Sequence, residues 1–131
     1  MARYEHLPIW ADAMKLSVGI ERAVAGFSRY HKYSLGAELR RSAMQLLGLV
    51  VRAARASAQR GVELERLVLT AEQIKAQLAL ARELKTFKSF TIWADLAALS
   101  VTISKQSEGW LQQARRATRP EAAPDSGGAR A

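Results

Sequence analysis

Six cations in the first half of the chain are the residues best suited to chemistry, and that chemistry is recognition of phosphate, not bond making. Arg40, Arg41, Arg52 and Arg55 fall within one stretch, SLGAELRRSAMQLLGLVVRAARASAQRG, from Ser34 to Gly61; Arg29 and Lys32 stand just before it. Between Arg29 and Arg60 seven basic residues face Glu38 alone, so +6 of the formal charge of +8 is concentrated there. Guanidinium forks match the paired oxygens of phosphate and stay charged at physiological pH. A segment of this kind points to a polyanion partner. A solvated face that merely keeps a small protein soluble has the same composition, and geometry separates the two. The polyanion reading needs these groups on one outward side of a helix, not engaged by acids of the same chain.

A second cluster, Arg29-Tyr30-His31-Lys32-Tyr33, interleaves stacking faces with cations as a contact to single-stranded nucleic acid would. Signatures of catalysis are missing: there is no Gly-rich phosphate loop, no G-x-S-x-G elbow and no H-E-x-x-H. His6 and His31 have no carboxylate or second histidine at ligand spacing, and with no cysteine in the chain no thiolate metal site can form. Glu-x-x-His pairs, which hold the iron of ferritin-like bundles, do not occur. Glu72 and Glu83, near Lys75 and Arg82, read as surface ion pairs, not as an acid/base couple. The chain is therefore expected to be non-enzymatic, with no cofactor and no metal.

The elements that must position the cations follow from hydrophobic spacing. Pro8 opens a first helix, where a missing N–H is no loss, and Ile9, Ala13, Leu16, Ile20, Ala23 and Phe27 form its inner seam. Ser34 is the expected cap of a second helix from about Leu35 to Ala58, with Leu39, Ala43, Leu46, Val50, Ala54 and Ser57 inward and Arg41, Gln45, Gly48, Arg52 and Arg55 opposite. Gly61 is expected to end it in a left-handed turn. A third helix, from about Val62 to Leu84, turns Leu64, Leu67, Ala71, Ile74, Leu78 and Ala81 inward. After a Ser89 cap, a fourth helix to about Arg116 uses Ile92, Leu96, Leu99, Ile103 and Trp110. Four long helices with short joins predict an all-α, antiparallel up-down-up-down four-helix bundle over residues 8–116. Trp10, Phe27, Phe90, Trp93 and Trp110 are expected to pack at its ends. Met44, Leu47, Val51 and Val101 widen the apolar positions beyond one seam, as a second interface between copies would require.

With 131 residues the chain suits one domain with a genuine core. Residues 1–7 read as a short leader and 117–131, rich in Pro, Gly, Ala and Ser, as a disordered tail. No apolar run approaches the roughly 20 residues needed to cross a bilayer, and no signal-peptide pattern is present. A cytoplasmic protein without a membrane role is expected. The sequence pI near 10.4 and the 14 arginines against 6 lysines favour a polyanion over other partners.

Four segments, LPIWADAMKL, FSRYHKYSLGAELRRSAMQLLGLVVRAARA, LALARELKTFKS and ISKQSEGWL, carry a resemblance by their order and spacing. Over roughly residues 5–113 the chain resembles the four-helix-bundle accessory variability proteins (Avd) of bacterial and phage diversity-generating retroelements. More distantly it is similar to bundle proteins encoded in intervening sequences of bacterial 23S ribosomal RNA genes. The first resemblance implies a barrel-like homopentamer with a basic surface that binds the element's reverse transcriptase and its template RNA or cDNA. It also implies no catalysis of its own, only a requirement in mutagenic cDNA synthesis by the polymerase. Carried onto this chain, it places the contacts at Arg29, Lys32, Arg40, Arg41, Arg52 and Arg55. The third helix departs from the family's richness in basic residues, with Glu63, Glu65, Glu72 and Glu83 against Arg66, Lys75, Arg82 and Lys85. The second resemblance would imply a protein-interaction module with no retroelement role.

Overall fold

A computed structural model describes residues 4–55 and 58–118. They form α1 (Pro8–Ala25), a single turn α2 (Arg29–Lys32), α3 (Leu35–Arg55), α4 (Arg60–Glu83) and α5 (Phe90–Thr118). No strand occurs among the described residues, so the chain is all-helical, with four long helices. The expectation of a disordered tail lies outside the described residues, apart from Ala117 and Thr118, which continue α5. Residues 4–7 form a turn in which Tyr4 meets Trp10 edge-on at 4.6 Å, so this part of the expected leader packs on α1.

Each long helix buries one stripe. Those of α1, α3 and α4 follow the three-four spacing: Leu16, Ile20, Leu39, Leu46, Leu64, Leu67, Ile74 and Leu78 are the largest buried aliphatics. On α5 the buried face is rotated. Leu96 and Ile103 are inside, but Ile92 is exposed, and Ser100, Ser104, Ser107 and Leu111 complete the face. Serine is tolerated there because its hydroxyl is satisfied locally: Ser100 donates to Ala97 O and Ser107 to Ser104 O, at 2.7 and 2.8 Å.

Cross-helix contacts connect α1 with α3 and α5, and α4 with α3 and α5. Between α4 and α5 the paired residues step in opposite senses: Glu65 with Arg115, Glu72 with Ser104, and Leu78 with Trp93. Between α1 and α5, Gln106 bonds Asp12 and Leu96 abuts Gly19. Between α1 and α3, Glu21 bonds Arg40 and Val24 abuts Gly36.

Helix ends depart from expectation at two places. Ser34 does not cap α3 with its side chain; its hydroxyl turns back and donates to Tyr30 O at 2.9 Å, closing the α2 turn. Gly61 does not end a helix. It is the second residue of α4, with no left-handed backbone, because Arg60 supplies the C-terminal cap of α3 by donating to the carbonyls of Ala53 and Ala54. Two other signals hold: Pro8 opens α1, and Ser89 Oγ accepts from Ile92 N–H at 3.2 Å.

Candidate nucleic-acid interface

The second helix of the sequence pattern is α3, and it displays Arg41, Arg52 and Arg55 away from the core beside Met44 and Gln45. Arg40 lies a quarter-turn round, towards α1. Arg29 opens α2 and is exposed, whereas Lys32 closes it half-buried. Gly48 lets the Arg52 guanidinium fold along α3: a Cβ there would stand 3.3 Å from Nη1.

Outward placement holds, but freedom from acids does not. Arg40 Nε bonds Glu21 at 2.7 Å, Arg41 Nη1 bonds Glu38 at 3.0 Å, and Arg52 Nε bonds Glu63 at 3.3 Å. Glu63, whose side chain is 15% exposed, also lies 3.8 Å from Arg66. Among the described residues Arg29, Lys32 and Arg55 have no carboxylate within ion-pair distance. Six cations less three paired carboxylates leave +3, and on α3 itself four arginines less the same three carboxylates leave +1. The α3 face is thus a weaker anion surface than its composition implies. Exposed pairs of this kind are worth about 0–1 kcal/mol each, and the three arginine side chains remain 49–65% exposed.

The apolar positions also differ from expectation. Met44 is 71% exposed and Val101 40%, but Leu47 and Val51 are half-buried. The broader exposed stripe is on α4, where Val62, Leu69 and Leu80 share one outward side at 47, 69 and 51% exposure. The same side carries exposed Arg66 and Gln73 between them, which breaks the stripe as a pattern in the sequence. Of the five aromatics expected at helix ends, Phe27 is buried, whereas Phe90 is 65% exposed.

Glu72 and Lys75 pair at 3.1 Å, and the Ser104 hydroxyl also donates to Glu72. The Ser104 hydrogen bond, then Lys75, holds the Glu72 carboxyl below the usual glutamate range. Glu83 has no ion pair among the described residues, and Arg82 lies over the rings of Trp93 and Phe90, at 4.3 and 5.3 Å. Helical spacing does not reveal this corner, although Lys-Thr-Phe-Lys-Ser-Phe, residues 85–90, carries the same aromatic-basic interleaving as residues 29–33. No described helix is long and apolar enough to cross a membrane.

Compared with models of known protein families and with the sequences of curated proteins, the chain gives no match.

Proposed function

We propose that this chain is a non-catalytic accessory protein of a diversity-generating retroelement: an up-down-up-down four-helix bundle that binds reverse transcriptase and template RNA or cDNA. The observation that carries the reading is the outward side of α3, which Arg41, Arg52 and Arg55 share, all three exposed. Arg55 has no carboxylate partner among the described residues, and the exposed pairs of Arg41 and Arg52 are weak enough to be exchanged for phosphate at little cost. The opposite senses of the contacting helix pairs support the bundle topology. Self-association, as a homopentamer by the Avd resemblance, has its support in the exposed apolar side of α4.

The test is salt-dependent RNA binding by a variant with Arg41, Arg52 and Arg55 all changed to Gln. Gln is chosen over Glu because a carboxylate at position 52 would face Glu63. Binding should be lost while the helical circular-dichroism signal stays; unchanged binding overturns the surface. A monomeric native mass by light scattering would overturn the adaptor.

The exposed stripe of Val62, Leu69 and Leu80 also favours a second reading, a protein-interaction module of the 23S intervening-sequence bundle type. Association with a protein partner that survives nuclease treatment would favour it.

A further inference from the structure

We propose that the end of the molecule where the α1–α3 and α4–α5 connections meet binds single-stranded nucleic acid, stacking its bases and holding its phosphates with unpaired cations. This shares the polyanion with the reading above but uses a different surface.

Two connections remote in sequence are brought together there. The rings of Phe27 and Phe87 meet edge to face at 5.3 Å. Lys88 lays its aliphatic stem across Gly26, where a Cβ would stand 2.8 Å from Cε. Residues 29–33 and 85–90, the two aromatic-basic runs, therefore occupy one end.

The charge there is free. Arg29, Lys32, Arg82, Lys85 and Lys88 have no carboxylate within ion-pair distance among the described residues. Against these five cations the two connections and the last turn of α4 hold only Glu83, a balance of +4, compared with +1 for the four α3 arginines less their three paired carboxylates. Phosphate meets more unneutralised charge at this end.

Stacking surfaces accompany the charge. Trp93 Nε1 donates to Leu78 O at 3.2 Å, which fixes the indole, and the Arg82 guanidinium lies over that ring at 4.3 Å. It also lies 5.3 Å from the Phe90 ring centroid, so cation and rings form one cluster of the kind on which bases stack. Tyr30, Tyr33 and Phe90 are exposed by 82, 72 and 65%. Bases in a duplex have their faces covered by neighbours, so this combination selects an unpaired strand.

Lys85 adds an independent sign. It adopts φ 58° just after the Leu84 cap of α4, where Lys85 N–H donates to Arg82 O and Thr86 N–H to Ala81 O. That turn favours glycine, yet the chain places a cation in it.

The experiment measures binding of fluorescein-labelled oligothymidylate and of a fully paired duplex by anisotropy, across a salt series. Tyr30→Ala with Phe90→Ala should weaken strand binding by about tenfold, at the lower end of one lost stack, with the salt slope unchanged. Arg82→Lys, which keeps charge without the plane, should weaken the strand more than the duplex. Lys85→Gly keeps the turn and should lower the slope by about 0.7. If the double variant does not fold by circular dichroism, Arg82→Lys and Lys85→Gly carry the test. Wild-type strand affinity in the double variant overturns the proposal, as does equal affinity of the native protein for duplex and strand. A changed particle mass in the double variant also overturns it, making this end a contact between copies. Loss of strand binding only in the α3 Gln variant overturns this proposal but leaves the function reading standing; loss only in the end variants does the reverse for the α3 surface.

Discussion

Arg60 Nε donates to the carbonyl oxygen of Ala53 at 2.8 Å, and its Nη2 to that of Ala54 at 3.1 Å, so the first residue of α4 closes the last turn of α3. Terminal helix carbonyls have no partner within their own helix, and a cation there also opposes the negative end of the helix dipole. Arg60→Met keeps much of the stem and should cost about 1.5–3 kcal/mol, read as a lower urea midpoint. Arg55→Met, which loses no such bonds, should shift stability by less than about 0.5 kcal/mol. Equal losses would remove the capping role.

Two glycines should respond in opposite directions. At Gly36 a Cβ would stand 2.7 Å from Val24 Cγ1 and 3.1 Å from His31 O. The packed core cannot yield there freely, so Gly36→Ala should destabilise by about 1–3 kcal/mol. Around Gly61 nothing lies within 4 Å of the added methyl, and the residue is helical. Gly61→Ala should therefore stabilise by about 0.5–1 kcal/mol. A left-handed Gly61 would give the reverse sign, so thermal unfolding of this one variant separates the two accounts.

Stability should depend on pH through Glu72. Folding favours its ionised form, because the Ser104 hydroxyl and Lys75 hold the carboxyl below the usual range. That contribution is complete above the unfolded glutamate pKa, about 4.3, and fades as pH falls through the lower folded value. Glu72→Gln should flatten the stability profile in that acidic window and leave its shape near neutrality unchanged. An identical acid limb in the variant would show that the hydrogen bond does not contribute.

Glu63 restrains Arg52 at 3.3 Å. Glu63→Gln removes that carboxylate, and if the α3 face meets RNA the slope of log affinity against log salt should steepen by about 0.7. An unchanged slope would place Arg52 outside the contact.

Why some of this was legible and some not comes down to what spacing records. All six inner positions named for α4 are buried, because a stripe of aliphatics needs only the helical period to be seen. The α5 face was misplaced by part of a turn, since Ser100, Ser104 and Ser107 count as polar in any pattern yet satisfy themselves within the helix or on Glu72. For the candidate site, the outward side of Arg41, Arg52 and Arg55 follows from period alone. The pairing of Arg40 with Glu21 and of Arg52 with Glu63 is tertiary, and only Glu38, three residues before Arg41, was within reach of local spacing. The meeting of Phe27 with Phe87 needs the fold itself.

The exposed apolar flank of α4 runs along the molecule, whereas the Phe27–Phe87 corner sits at one pole. Copies that joined by such flanks around a rotation axis would turn every corner towards the same rim. A single long strand could then touch several corners at once, each new contact being intramolecular after the first, and modest grip per subunit would become tight avidity for the ring.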